Sequence, residues 1–394
     1  MEKKRQELSD LTAVLSCLKK WQTSEKRLLR RVTLERKKTW FSMKKTLLLK
    51  VNPRKPETLK VREASALIRM GGIVAFPTET VYGLGADALN RVAVLSLFEA
   101  KKRPLDNPPI VHVESPRDIY DLTAFVPSQA EKLMEKFWPG PLTLIFKNST
   151  KVPDVTVAGL DTIAIRMPRN EIALSLIRES GCPIAAPSAN LAGKPSPTTA
   201  KHVFDDLNGR IDAILDGGPT KIGVESTVLD MTVNPPMILR PGGTPVEALR
   251  RVLGEVRLHS FVTTEMELSL SETRSPGMKH RHYAPKARMI LVEGPLESVI
   301  DRINELLSSY TLKGNKVGVL ATDETVARYE AEMVESLGSR FNTETIARNL
   351  FASLRKFDDA SIDVIIAESV PAEGLGLAVM NRLRKASGYS IVKA

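Results

Sequence analysis

Two hydrophobic patterns alternate along most of the chain: apolar residues at helical spacing, and short continuous apolar runs. Residues 59–70 carry the helical period and stop at Gly71-Gly72, a C-terminal signal. The run Ile73-Val74-Ala75-Phe76 precedes Pro77 and reads as a buried strand, and strands are also read at 46–50 and 110–113. A helix is predicted over 92–102 with Leu95 and Phe98 inward, and another over 128–137. The turn Trp138-Pro139-Gly140-Pro141 leads into a strand at 142–146. A strand at 163–167, a helix at 171–179 ended by Gly181, and a helix at 198–207 capped by Ser196 or Thr198 follow. Further strands are read at 185–186, 213–216, 227–231 and 237–240. This order predicts an α/β fold around a twisted sheet with antiparallel parts.

After Pro241-Gly242-Gly243 one helix is expected at 246–253. Residues 256–287 lack periodicity, hold Ser, Thr, Pro and Gly, and read as a linker. Alternation restarts with a strand at 289–292, a helix near 296–309, a strand at 316–320, a helix near 343–356 and a strand at 362–366. That is a compact doubly wound, Rossmann-like unit of about one hundred residues. The domain reading is therefore 46–255, a linker at 256–287, and 288–394.

Charge changes the picture at one end only. The 394 residues hold 57 Lys and Arg against 46 Asp and Glu, a net charge of +11. Residues 1–42 contribute +7 of it, leaving +4 for the rest, which weakens any argument from basicity to nucleic-acid binding. Met43-Lys44-Lys45 reads as a natural start, and 1–42 as a basic extension, disordered or not native. The extension lacks the apolar core of a secretory signal, and its five acids argue against a transit peptide. No apolar run has membrane-span length, so no membrane role and a cytoplasmic location are expected. Cys17 and Cys182 sit in no paired motif, so neither a disulfide framework nor a thiolate metal site is expected.

Six segments carry candidate chemistry. Phe76-Pro77-Thr78-Glu79-Thr80-Val81-Tyr82-Gly83-Leu84-Gly85-Ala86-Asp87 follows a strand and is dense in Thr and Gly. It lacks the lysine of a Walker loop and the spacing of a dinucleotide fingerprint, and reads as a ligand loop or a strand with a glycine bend. Lys101-Lys102-Arg103-Pro104-Leu105-Asp106-Asn107 ends a helix with three cations, which either satisfy the helix dipole or bind phosphate. His112 on the next strand is structural or a ligand. Arg166, on an apolar strand, must be paired or face a cavity: a carboxylate ligand or a salt bridge. Ala185-Ala186-Pro187-Ser188-Ala189-Asn190, continuing to Ser196-Pro197-Thr198, leaves room for a ligand or enters a helix. Gly223-Val224-Glu225-Ser226-Thr227 with Arg240, and Lys279-His280-Arg281-His282-Tyr283-Ala284-Pro285, complete the set. No nucleophilic triad or metal-binding motif can be assembled, so positioning and charge stabilisation are expected, not covalent catalysis.

Taken in order, these segments, Trp138-Pro139-Gly140-Pro141, and the stretch from Gly374-Leu375-Gly376 to Arg384-Lys385-Ala386 resemble the two-domain threonylcarbamoyl-adenylate synthases. That family joins a YrdC-type catalytic domain to a smaller C-terminal domain. The likeness runs from about residue 46 to 394. It implies nucleotidyl transfer: L-threonine, bicarbonate and ATP give threonylcarbamoyl-AMP and pyrophosphate. The product serves threonylcarbamoyladenosine modification of tRNA through a separate transferase machinery, so tRNA need not bind here. It implies that Thr80, His112, Arg166, Ala186 and Ser226 hold threonine. Arg103, Asn107, Thr162, Ser188, Ser196, Arg240 and Tyr283 would hold ATP, with Lys101 and Arg103 catalytic beside the phosphates. Mg²⁺ would arrive with ATP, with no protein metal site and no tightly bound organic cofactor. Tyr283 would act as a lid. Two rivals remain: a non-catalytic RNA-binding module, weakened by 5% aromatic content, and a hydrogenase-maturation carbamoyl transferase, which needs zinc-finger regions this chain has too few cysteines to form.

Overall fold

Most of the apolar runs become strands buried on both faces. The computed structural model describes residues 45–263 and 283–394. The 1–42 extension and Lys279-His280-Arg281-His282 lie outside the described residues. The first sheet has strands β1 (Leu47–Lys50), β2 (Val74–Phe76), β3 (Gly83–Asp87), β4 (Val111–His112), β5 (Leu142–Lys147) and β6 (Thr162–Arg166). It continues with β7 (Ile184–Ala185), β8 (Ala213–Asp216), β9 (Thr227–Asp230), β10 (Met237–Arg240) and β11 (Arg257–Leu258). Their spatial order is β1-β8-β2-β3-β7-β4-β6-β5-β9-β10-β11. Parallel pairs such as β4 with β6 alternate with antiparallel pairs such as β5 with β6, the mixed sheet expected from the sequence.

Helices cover both faces. Thr58–Arg69 and Glu171–Ser180 pack Ala64, Ile68, Ile172 and Leu176 on one side. Arg91–Lys101 and Ser128–Phe137 pack Leu95, Phe98, Leu133 and Met134 on another cluster. Leu95 and Phe98 are buried, as their spacing predicts.

The second sheet holds β12 (Arg288–Glu293), β13 (Val317–Ala321), β14 (Met333–Ser336), β15 (Val364–Glu368) and β16 (Ile391–Lys393), all parallel, in the order β14-β13-β15-β12-β16. Helix Leu296–Leu312 covers one face. Helices Thr343–Asp359 and Gly376–Ala386 cover the other, a doubly wound arrangement. That second face also buries Val81, Val224 and Tyr283, so it doubles as the interface with the first domain. Gly223 has φ +87°, and a Cβ there would lie 2.3 Å from the Ala347 carbonyl oxygen, so the contact needs glycine.

Several expectations change. Helix Ala200–Leu207 is capped by Thr199, whose hydroxyl accepts from the His202 N–H, not by Ser196 or Thr198. The segment read as a linker from 256 first supplies β11 to the first sheet and a short helix, Ser260–Thr263. Strand β3 realises the strand with a glycine bend that was one of the two readings of 76–87, while β14 and β16 were not expected. β14 and β16 are sheet edges with half-buried residues and no apolar run.

Candidate active site

Strand ends and the loops that follow them converge on one cavity. β6 delivers Arg166, β4 His112 and β10 Arg240, while loops after β2 and β7 bring Thr80, Ala186 and Ser188. Tyr283 closes the wall from the interface.

Arg166 is 3% exposed and held on three sides. Its Nε donates to the Gly140 carbonyl at 3.1 Å, and Nη1 donates to Thr80 Oγ1 at 3.0 Å. Nη2 lies 2.7 Å from Glu79 Oε2. Arg166 is therefore salt-bridged, as one of the two readings had it, and it also lines the cavity. His112 Nδ1 lies 3.1 Å from the Ile110 carbonyl, which only accepts, so Nδ1 carries the proton and Nε2 is an acceptor. Burial, then the Arg166 charge, pushes this imidazole down to about 3, so it is neutral. Ser226 Oγ shares a hydrogen with Thr143 Oγ1 at 2.7 Å. The Ala186 N–H is already donated to Ile110 O, which leaves its carbonyl for a ligand contact.

A second group is cationic. Arg240 Nη2 donates to the Ser226 carbonyl at 2.9 Å and to its hydroxyl at 3.2 Å. Burial lowers the pKa of Arg240 and takes that of Arg103 to about 10. Arg103 Nε donates to Asn107 O at 2.8 Å, and Nη2 to Asn107 Oδ1 at 2.7 Å. Asn107 thus fixes Arg103 and does not itself line the cavity.

Two further expectations fare differently. Lys101 is 1% exposed, and its ammonium donates to the carbonyls of Ser188 and Asn190. It stands behind the cavity loop and not in the cavity, because those carbonyls would otherwise be buried without donors. Burial, then Arg103, drives its pKa well below that of an ordinary lysine. Thr162 begins β6, four residues from Arg166, about 13 Å along an extended strand. It does not line the cavity either.

Sequence reasoning gave no role to Glu225, which lines the far wall, or to Arg382 behind it. Glu225 Oε1 accepts from Ser196 Oγ at 2.5 Å, and Oε2 accepts from Arg382 Nε at 2.8 Å. Arg382 comes from the second domain, is wholly buried, and donates through Nη1 to Pro241 O at 2.7 Å. Burial pushes the Glu225 carboxyl up, but Arg382 and Arg240 outweigh it and hold it at about 2. Tyr283 adopts φ +65°, stacks on Phe351 at 5.3 Å, and has the Arg382 guanidinium 5.5 Å over its ring. Among the described residues, no three His, Cys, Asp or Glu side chains converge as a metal site.

Comparison with known proteins gives a consistent picture. Residues 66–242 match the family described as Telomere recombination, and residues 244–388 the family described as Threonylcarbamoyl-AMP synthase, C-terminal domain. The chain is 53% identical over 348 residues to the threonylcarbamoyl-AMP synthase of Pyrococcus abyssi, covering 88% of this chain and 99% of that protein. It is 51% identical over 336 residues to the threonylcarbamoyl-AMP synthase of Bacillus subtilis, covering 85% and 94%. The crystal structure of P. abyssi Sua5 complexed with L-threonine superposes with a TM-score of 0.84 at 52% identity, covering 89% of this chain and all of that one.

Proposed function

The chain belongs to the threonylcarbamoyl-AMP synthase family, and from that premise we propose how its cavity works. L-threonine, bicarbonate and ATP are the substrates, and threonylcarbamoyl-AMP and pyrophosphate are the products. The observation that carries this reading is the pairing, in one cavity, of a pre-oriented buried arginine and a neutral histidine with two further arginines, buried Arg240 and half-buried Arg103.

Threonine is held by its carboxylate on Arg166, with Thr80, Ser226 and the Ala186 carbonyl around it. The His112 Nε2 lone pair accepts from the substrate's hydroxyl or amine. The free amine adds to the carbon of bicarbonate, and water leaves to give a carbamate. A carbamate oxygen then attacks the α-phosphorus of ATP, and the bond to the β,γ-pyrophosphate breaks. Both partners are anionic, so Arg103 and Arg240 serve by neutralising charge that builds in the transition state. Ser188, Ser196 and Tyr283 bound the nucleotide, and Asn107 and Lys101 position Arg103 and the Ser188 loop. Glu225 is engaged by Arg382 and Ser196, so it offers no free ligand to a cation. Mg²⁺ would arrive with ATP and supply further neutralisation of the phosphate charge. Tyr283 closes the site and excludes water from a labile product.

No helix among the described residues is long and apolar enough to cross a membrane. We take the site of action as cytoplasmic, with the product handed to a tRNA-modifying transferase. The test is pyrophosphate release by the purified chain, with each substrate omitted in turn. Release that needs threonine and bicarbonate but no RNA supports the assignment. RNA binding with no pyrophosphate release would favour a non-catalytic module.

A further inference from the structure

The loop after β2 alternates its side chains: Thr78 and Thr80 line the cavity, while Glu79 between them points behind it. Glu79 is 4% exposed, a burial almost never seen for a glutamate without a specific partner. Its partner is Arg166 Nη2 at 2.7 Å. The contact lies off the N–H direction, so neither Glu79 oxygen nor Nη2 completes a directional hydrogen bond. Glu79 therefore holds the guanidinium by charge, at a fixed place, from the side away from the cavity. The backbone of this segment is itself pinned, since Ile222 N–H donates to Glu79 O and Gly223 N–H to Thr80 O.

We propose that Glu79 is the positioning residue of the threonine subsite. Gly140 O, Thr80 Oγ1 and Glu79 Oε2 each fix a different nitrogen of Arg166. Nη2 is enclosed against Glu79 and Nε is spent on Gly140 O, so the Nη1 N–H not given to Thr80 is the donor left for a carboxylate. With its orientation set before substrate arrives, the guanidinium loses little freedom on binding a carboxylate. Glu79 also keeps Arg166 from being an uncompensated buried cation in the empty site.

Two effects of removing the charge oppose each other, and the sign of the outcome separates them. Without Glu79, the unopposed cation pulls harder on an anion. Without Glu79, the guanidinium is also free to turn away from its binding orientation. Positioning predicts that the second effect wins.

This inference rests on the threonine assignment made above. The experiment measures binding of L-threonine and of ATP separately by calorimetry, with steady-state KM for each, in the full chain and in Glu79→Gln and Glu79→Asp. Glu79→Gln keeps the shape and loses the charge. The threonine Kd should weaken about tenfold, the scale of one charge-assisted contact, with the ATP Kd within about twofold. Glu79→Asp, which keeps the charge, should recover part of the loss. A threonine Kd that is unchanged or tighter in Glu79→Gln, or an equal loss for both ligands, overturns the inference. Should Glu79→Gln not fold, Glu79→Asp decides: a threonine-selective loss supports positioning, and wild-type affinity for threonine overturns it. Absence of threonine binding by the wild-type chain overturns the function reading and this inference with it. Equal threonine affinity of wild type and variants overturns this inference alone.

Discussion

Replacing Arg382 with Met removes a cation that joins the two domains at the cavity wall. The guanidinium is wholly buried against Glu225 Oε2 at 2.8 Å, Pro241 O at 2.7 Å and the Tyr283 ring at 5.5 Å. Removing one partner of a buried pair costs about 3–5 kcal/mol, because the other charge stays behind uncompensated. The carboxyl gives a second route to the magnitude. Glu225 sits at about 2 in place of 4.5. Each unit corresponds to about 1.4 kcal/mol, so the depression is worth about 3 kcal/mol, part of it owed to Arg240. The sign follows from linkage: a depressed carboxyl contributes stability that is present above pH 4.5 and lost as pH falls towards 2. In Arg382→Met, burial opposes ionisation with less to offset it, so the carboxyl moves up. Urea unfolding of wild type, Arg382→Met, Glu225→Gln and the double variant should be followed at pH 7 and near pH 3. At pH 7 Arg382→Met should lose about 3 kcal/mol, and the gap should narrow near pH 3. The double variant should be more stable than Arg382→Met alone, since no charge is left buried. A pH-independent gap, or Arg382→Met as stable as wild type at pH 7, would refute this account of the Arg382–Glu225 pair.

Two other expectations concern the chemistry. Arg103→Ala should slow adenylate formation by about a hundredfold, the usual loss for one charge-stabilising donor; near-normal pyrophosphate release would remove Arg103 from the mechanism. His112 is held at about 3 in place of 6.5, so its depressed pKa leaves it neutral throughout pH 5–8. Calorimetry should accordingly show a threonine Kd without a step near pH 6.5, and a tenfold weakening between pH 7.5 and 5.5 would show instead that the imidazole titrates there.

Local signals made most of the fold legible. Gly181 stops its helix in the left-handed region as the sequence suggests, and helix Ser128–Phe137 begins and ends where its period does. The misplaced cap shows the limit of such signals. Ser196, Thr198 and Thr199 all carry a suitable hydroxyl, but Ser196 is drawn to Glu225, and Thr199 is the extended residue directly before the helix. The cationic run at 101–103 read equally as a dipole cap or a phosphate site. Lys101 does a third thing, binding carbonyls 87 and 89 residues away. Glu225 and Arg382 lie 157 residues apart, and no periodicity or motif announces that pair. Thr80, Arg166 and Ser226 could be picked out because each sits in a short motif. Glu79 sits in the same motif as Thr80, yet its role is visible only once β6 brings Arg166 behind the loop.

The most direct test of the central claim is the product itself. The purified chain is incubated with ATP, Mg²⁺, L-threonine and ¹³C-bicarbonate, and the nucleotides are analysed at once by mass spectrometry. A threonine-dependent adenylate carrying the ¹³C label, formed in step with pyrophosphate, is the predicted result. ATP left intact, or consumed without any labelled adenylate, would contradict the account.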